Sequence, residues 1–328
     1  MTLLGDGHGR RFTYLRLSVT EACNYRCVYC LPDGYRKTAP HDFLGVEELR
    51  RLAAVAVRAG LAKIRLTGGE PAARRDLSAL IAAVAEAGPA KVALTTNGWS
   101  LSRDLQSWLA AGLTHLNVSV DSLDPAVFAA VTGRDRLAAT LAGVDAALAS
   151  PLKAVKVNAV LMRDTMGSDM AGLSAFADWL RDRPTSVRFI ELMRTGDNAA
   201  FHAAQHVGGQ AVRLWLATHG WRERPRGHDD GPAVEFEHPD HAGRFGLIAP
   251  YAPGFCDGCN RLRVTARGKL RLCLFGDGGV DLRPLLQDDA DRDAAVALLA
   301  RSLGAKTAGH RLGEALTGAT RNLSEVGG

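Results

Sequence analysis

Several things are missing from this sequence of 328 residues, and each absence narrows the answer. No run of 18 apolar residues occurs, which argues against a membrane-spanning helix. The first 16 residues are rich in Gly and Arg and carry no apolar stretch, so no secretory leader is expected and a cytoplasmic location is. Aromatic residues are scarce, at 6%, and the cations are scattered. That weighs against the basic stripe with interleaved aromatics of a nucleic-acid surface. Gly (35) and Pro (13) follow no fixed period, so collagen-like and low-complexity classes fall away. Lysine is rare, contributing seven of the 40 basic residues. Cysteine is absent from the whole stretch between Cys30 and Cys256.

What remains is an ordinary globular composition, 47% hydrophobic and 23% charged, with a mild net charge of +5. The length suits two domains or one α/β barrel with an extension. The cations are mostly arginine, whose planar fork grips carboxylate and phosphate bidentately. A mild excess of this kind permits an anionic substrate without demanding one.

Periodicity predicts strands at 14–19, 63–66, 92–95, 116–120, 155–160 and 187–190. Helices are predicted at 46–59, 77–87, 103–110, 125–131, 137–148 and 170–181, with Asp76 placed to cap the second. Six strand–helix units imply crossovers and a mainly parallel sheet. Polar signals sit at the C-terminal ends of these strands: Glu70, Asn97, Asp121 and Glu191. That is the face where barrel enzymes place their chemistry, so a partial (β/α)6 barrel is expected. After Met193 the pattern weakens. A helix is expected at 211–218, a hairpin over 262–275 and a last helix at 291–303. The expected division is a barrel over 1–210 and a C-terminal region over 211–328.

The six cysteines form two triplets. Cys23, Cys27 and Cys30 follow a C-x3-C-x2-C spacing, and Cys256, Cys259 and Cys273 make a C-x2-C with one further thiol. Three thiolates are one short of a closed zinc or iron–sulfur site, so each triplet leaves a coordination position open. A zinc site completed by a distant His remains the alternative, more so for the second triplet. Arg261 and Arg263 follow Cys259 on a predicted strand and share one face. Two guanidiniums beside an open metal make an anionic-substrate site.

The first triplet and Thr67-Gly-Gly-Glu-Pro71 resemble the radical S-adenosylmethionine (SAM) superfamily. Further segments resemble, more narrowly, its GTP 3′,8-cyclase family in molybdenum cofactor biosynthesis. They include Leu15-Arg-Leu-Ser-Val-Thr20, Leu94-Thr-Thr-Asn-Gly98, Leu116-Asn-Val-Ser-Val-Asp-Ser122, Arg188-Phe-Ile-Glu-Leu-Met193, Arg261-Leu-Arg263 and the terminal Gly327-Gly328. Ala72-Ala73 departs from the larger apolar residues usual there.

The resemblance implies a TIM-like radical SAM barrel and a second iron–sulfur site in the C-terminal region. Cys23, Cys27 and Cys30 would hold a [4Fe–4S] cluster that binds SAM, and Cys256, Cys259 and Cys273 a second [4Fe–4S] cluster. Tyr29, Gly69, Ser119 and Met193 would contact SAM. Arg16, Arg65, Thr95, Lys156, Arg261, Leu262 and Arg263 would contact GTP. A cation inside a barrel needs an anion, and an internal pair with Glu70, Asp121 or Glu191 is the alternative to a triphosphate. The implied reaction abstracts the ribose C3′ hydrogen through a 5′-deoxyadenosyl radical and yields 3′,8-cyclo-7,8-dihydro-GTP. No acid–base constellation is required. Implied partners are a flavodoxin- or ferredoxin-like electron donor and a downstream cyclic pyranopterin monophosphate synthase. Neither a membrane nor nucleic acid is expected, and the chain would be a monomer or homodimer. A peptide-modifying radical SAM enzyme and a zinc-dependent nucleic-acid protein are the competing classes.

Overall fold

A computed structural model describes residues 4–37, 42–225, 227 and 231–327. Strand and helix alternate from the start: β1 (Tyr14–Thr20), α1 (Val46–Arg58), β2 (Lys63–Gly68), α2 (Leu77–Glu86), β3 (Lys91–Thr96) and α3 (Leu101–Ala110). The series continues with β4 (His115–Ser119), α4 (Pro125–Thr132), α5 (Leu137–Leu148), β5 (Ala154–Leu161), α6 (Arg163–Met166), α7 (Ala171–Leu180) and β6 (Ser186–Glu191). Then come α8 (Ala199–Gln205), α9 (Gly209–Thr218), β7 (Arg222–Glu223), β8 (Val234–Glu237), β9 (Arg244–Ile248), β10 (Arg261–Val264), β11 (Lys269–Arg271), β12 (Val280–Asp281) and α10 (Arg292–Ser302).

Among the described residues, the twelve strands join one sheet in the order β12-β11-β10-β1-β2-β3-β4-β5-β6-β9-β8-β7. The six expected strands are its centre. The later chain adds a parallel strand at each edge, β10 beside β1 and β9 beside β6. The ladder therefore runs across residue 210 without interruption. Antiparallel β11 and β8 continue outward from these edges.

Local sequence explains the boundaries. Glu48 reaches back to the Gly45 N–H at 2.9 Å and closes the start of α1. Gly60, at φ +90°, ends it. Asp124 accepts from the Ala126 and Val127 N–H groups at 2.8 and 2.9 Å, and Pro125 starts α4. Asp76 does stand before α2, but its carboxylate does not cap it: Arg74 donates to both oxygens, at 2.8 and 2.6 Å. A bidentate guanidinium is a stronger partner than a helix N–H.

Alternation along the strands sorts the residues. Leu15, Leu17, Ile64, Leu66, Val92, Leu94, Leu116 and Val157 are all buried within the main core. Helix α1 packs Leu49, Leu52, Ala53 and Ala56 into that core. Truncating Leu52 to Ala would cost about 2–5 kcal/mol. The opposite strand face carries Tyr14, Arg16, Lys63, Arg65, His115, Asn117, Lys156 and Arg188, and these line a cavity. An eight-stranded TIM barrel fills its interior with apolar layers; this partial barrel has a polar, open lumen.

Candidate active site

The lumen has two chambers. One is lined by Cys23, Cys27 and Cys30 with Tyr29, Gly69, Ser119 and Asp121. The other is lined by Cys256, Cys259 and Cys273 with Arg16, Arg65, Arg261 and Arg263. Asn158, Ile190 and Met193 belong to both linings, so the chambers adjoin there. The triplets lie at opposite mouths. The first follows the C-terminal end of β1, whereas Cys259 stands two residues before β10, which runs parallel to β1. Only the first triplet thus lies on the face where the sequence signals clustered.

The first chamber is built from the turn after β2. Gly68 and Gly69 pack directly on the segment before Cys23. A Cβ on Gly68 would come 2.2 Å from the Thr20 carbonyl oxygen, and one on Gly69 2.3 Å from that of Ala22. The Gly69 N–H already donates to Thr20 and the Glu70 N–H to Ala22. Gly68 and Gly69 are therefore required by close chain packing, and the Gly69 and Glu70 N–H groups are not left for a ligand. Glu70 is fully engaged too, accepting from the Asn97 and Ala72 N–H groups and the Thr96 hydroxyl at 2.6–2.9 Å. Tyr29 donates to Asp121 Oδ2 at 3.1 Å, and the Val160 N–H donates to Oδ1 at 2.9 Å. Burial pushes the Cys23 thiol up to about 11, Cys30 to about 12 and Cys27 well above its ordinary value. Asp121 and Glu70 add to these shifts.

The second chamber is basic. Nine Lys and Arg residues line it, with no Asp or Glu among its described lining residues. Register explains the crowding. Arg263, Arg16 and Arg65 are direct neighbours on β10, β1 and β2, and Arg261, Tyr14 and Lys63 form the next row. Burial and like-charge neighbours lower Arg263 to about 10 and Lys63 to about 8. Arg65 donates from Nε to Tyr14 Oη at 2.8 Å and from Nη1 to the Leu94 carbonyl at 2.6 Å. Burial alone would raise the Tyr14 phenol, but Arg65, Arg16 and Lys63 outweigh it and hold it at about 6. The same balance acts on Cys259, where Arg261, Lys306 and Arg263 overcome burial and lower the thiol.

Most sequence-predicted contacts reach a chamber, with two qualifications. Leu262 is fully buried in the apolar core, because strand alternation turns it away from Arg261 and Arg263. Its side chain does not reach the lumen. Thr95 lines the first chamber, and its hydroxyl lies 3.2 Å from Arg65 Nη1. The proposed carboxylate partners are occupied elsewhere: Glu70 and Asp121 as described, Glu191 by His206 at 2.9 Å. Lys156 instead lies 3.7 Å from Glu235, which also pairs with Arg188.

Sequence reasoning missed Tyr14, Lys63, Lys91, Arg188 and Lys306. The first two were findable, each lying two positions before a predicted cation on the same strand. Arg10 was missed as well. It is buried, bonded to Asp6 at 2.7 Å, and donates to the Cys256, Thr307 and Ala308 carbonyls, tying down the second triplet's loop. At the C-terminus, Leu323 and Val326 pack with Cys30 and Met193, and Arg16 Nη2 donates to the Gly327 carbonyl at 3.0 Å. Gly328 lies outside the described residues.

Each triplet supplies three thiols to one chamber, one donor short of a closed tetrahedral zinc site, and that donor set suits a cluster with one open iron. Each triplet lines a chamber wide enough to admit a further ligand.

Comparison with known proteins identifies the class. The Radical SAM superfamily matches residues 17–176. SuiB of Streptococcus suis, solved bound to S-adenosylmethionine, shares the fold with a TM-score of 0.55 at 14% identity, over 87% of this chain and 68% of its own. The chain is a radical SAM enzyme. Molybdenum Cofactor Synthesis C matches residues 185–312. GTP 3′,8-cyclases of Stenotrophomonas maltophilia (strain R551-3) and Yersinia pestis are 55% and 47% identical, each over the full length of both chains. That of Aeromonas hydrophila is 49% identical over all of this chain and 97% of its own. The chain belongs to the GTP 3′,8-cyclase family.

Proposed function

We propose that the chain binds SAM in the first chamber and GTP in the second, and converts GTP to 3′,8-cyclo-7,8-dihydro-GTP. The observation that carries this reading is one lumen with a cysteine triplet at each mouth, whose second chamber is lined by nine cations. Cys23, Cys27 and Cys30 would hold one [4Fe–4S] cluster and Cys256, Cys259 and Cys273 another. The first cluster, when bound, supplies the electron that cleaves SAM.

The chain's own residues do the positioning. Tyr29, Ser119 and Met193 line the SAM side, where Gly69 closes the turn. Arg16, Arg65, Lys156, Arg261 and Arg263 face the triphosphate, and Thr95 fixes Arg65 from the SAM side. Charge-assisted contacts of this kind are worth about 1.5–3 kcal/mol each. Met193 and Asn158, common to both chambers, lie where the two reactants would meet. Holding them there, away from water, is the protein's contribution.

A flavodoxin- or ferredoxin-like donor would supply electrons, and a cyclic pyranopterin monophosphate synthase would consume the product. The cytoplasm suits these partners. Among the described residues no helix is long and apolar enough to cross a membrane. Anaerobic reconstitution, iron and sulfide counting, and incubation with SAM, dithionite and each nucleoside triphosphate test the proposal. About eight irons per chain and a cyclised product from GTP alone are expected; stoichiometric zinc without sulfide would overturn it.

A further inference from the structure

Three adjacent strands set Arg188, Gly246 and Glu235 side by side. Arg188 on β6 pairs with Gly246 on β9, and Gly246 pairs with Glu235 on β8. Gly246 has no side chain, so Glu235 reaches across a whole strand. A Cβ at that position would lie 2.9 Å from Arg188 Cγ and 3.4 Å from Glu235 Oε1. Glu235 Oε1 accepts from Arg188 Nη2 at 3.0 Å and Nε at 3.2 Å, and lies 3.7 Å from Lys156 Nζ. Its Oε2 accepts from the Ser186 hydroxyl at 2.8 Å. Burial would favour the neutral acid, but Arg188 and Lys156 outweigh it and keep the group ionised.

We propose that Glu235 is a built-in competitor for the substrate's phosphates, occupying Arg188 and Lys156 in the empty lumen and yielding them when a polyphosphate enters. The inference rests on the second chamber being the triphosphate site. Cations packed this closely repel one another: Arg263, Arg16 and Arg65 are direct neighbours across β10, β1 and β2. An internal carboxylate offsets that repulsion while the lumen is empty. Once phosphate is bound, the same negative charge opposes it, or its ion pair must break. Glu235 is thus a positioning residue that trades substrate affinity for stability of the unliganded protein and ease of release.

Anaerobic calorimetry on reconstituted enzyme tests this, with inorganic triphosphate and GTP titrated into wild type and Glu235→Gln. The amide keeps the size and loses the charge. The variant is expected to bind triphosphate at least about tenfold tighter. Without ligand it should melt at a lower temperature, and saturating triphosphate should remove that deficit. Unchanged or weaker binding by a folded Glu235→Gln protein would overturn the inference, since a simple buttress for Arg188 cannot improve affinity when weakened. Should that variant not fold, Glu235→Asp, whose shorter side chain draws the carboxylate back from Arg188 and Lys156, carries the test. A tightening of about two- to fivefold supports the inference and none overturns it. Wild type that binds no triphosphate at all would overturn the phosphate-site reading, and this inference with it.

Discussion

The two cysteine triplets share a lumen but occupy opposite electrostatic settings. Around Cys23, Cys27 and Cys30 the charged neighbours that act on the thiols are the buried acids Asp121 and Glu70. Around Cys259 they are Arg261, Lys306 and Arg263. A sulfonium cofactor with a free amine suits the first setting, and a polyphosphate suits the second. On the proposed assignment, the barrel would give reactants of opposite charge each its own mouth.

Swapping cysteines gives the sharpest break. Cys27→Ala should abolish SAM cleavage, whereas Cys259→Ala should leave uncoupled SAM cleavage and remove GTP cyclisation. Quantifying 5′-deoxyadenosine and cyclised product separately checks both. Normal cyclisation by the Cys259 variant would show that the second triplet plays no part in substrate handling.

Next in size is the loss of one guanidinium from the basic row. Arg263→Ala and Arg261→Ala should each weaken GTP binding at least about tenfold in anaerobic titrations. SAM binding and iron content should hardly move. Lysine should restore only part of the loss, because an ammonium lacks the planar fork.

Asp121→Asn probes the acidic side. It keeps the shape that receives Tyr29 and Val160 but deletes the charge. A decrease of about three- to tenfold in SAM affinity is expected, with triphosphate affinity unchanged. Equal effects on both ligands would dissolve the contrast between the chambers.

The smallest effect is the pH response of His115. Burial, then Lys63 and Arg65, depress its imidazole to about 4. The unfolded chain binds its proton near the ordinary 6.5, so the unfolded state takes up more protons between those values. The stability this neutral imidazole contributes is present above about 6.5 and is lost as pH falls toward 4. An NMR titration of the empty protein should find the low midpoint, and bound triphosphate should raise it by offsetting the cations.

Much of this was legible from residue order. Helix α5 lies at the expected 137–148, and the six central strands lie within two residues of the expected bounds, because each carries an apolar run or alternation and is followed by a helical pattern. Strands β8 and β9 were missed: β8 has four residues, β9 is broken by Gly246, and no helix between them supplies the strand–helix context that marked the central strands. The hairpin's second strand stops at Arg271, short of the expected 275, as the chain turns to bring Cys273 to the mouth. Cysteine spacing announced both triplets but not their opposite mouths, since that depends on β10 joining β1 in parallel. The cation rows were hidden for the same reason. Alternation shows which residues share a face of one strand, whereas register between strands is a tertiary outcome.

That pairing of β1 with β10 also sets a schedule for synthesis. The first strand made at this edge waits for a partner some 240 residues later in the chain. At roughly 5–20 residues per second, the edge of β1 stays open for about 12–50 s while the rest is translated. An open strand edge invites pairing with other chains. The first cysteine triplet emerges at the start of this interval and Cys256 and Cys259 only at its end, so a nascent chain spends nearly all of it with half its thiols made and its basic row unfinished. Slow translation or late truncation of this protein should therefore appear first as aggregation, before any loss of catalytic chemistry in the chains that reach full length.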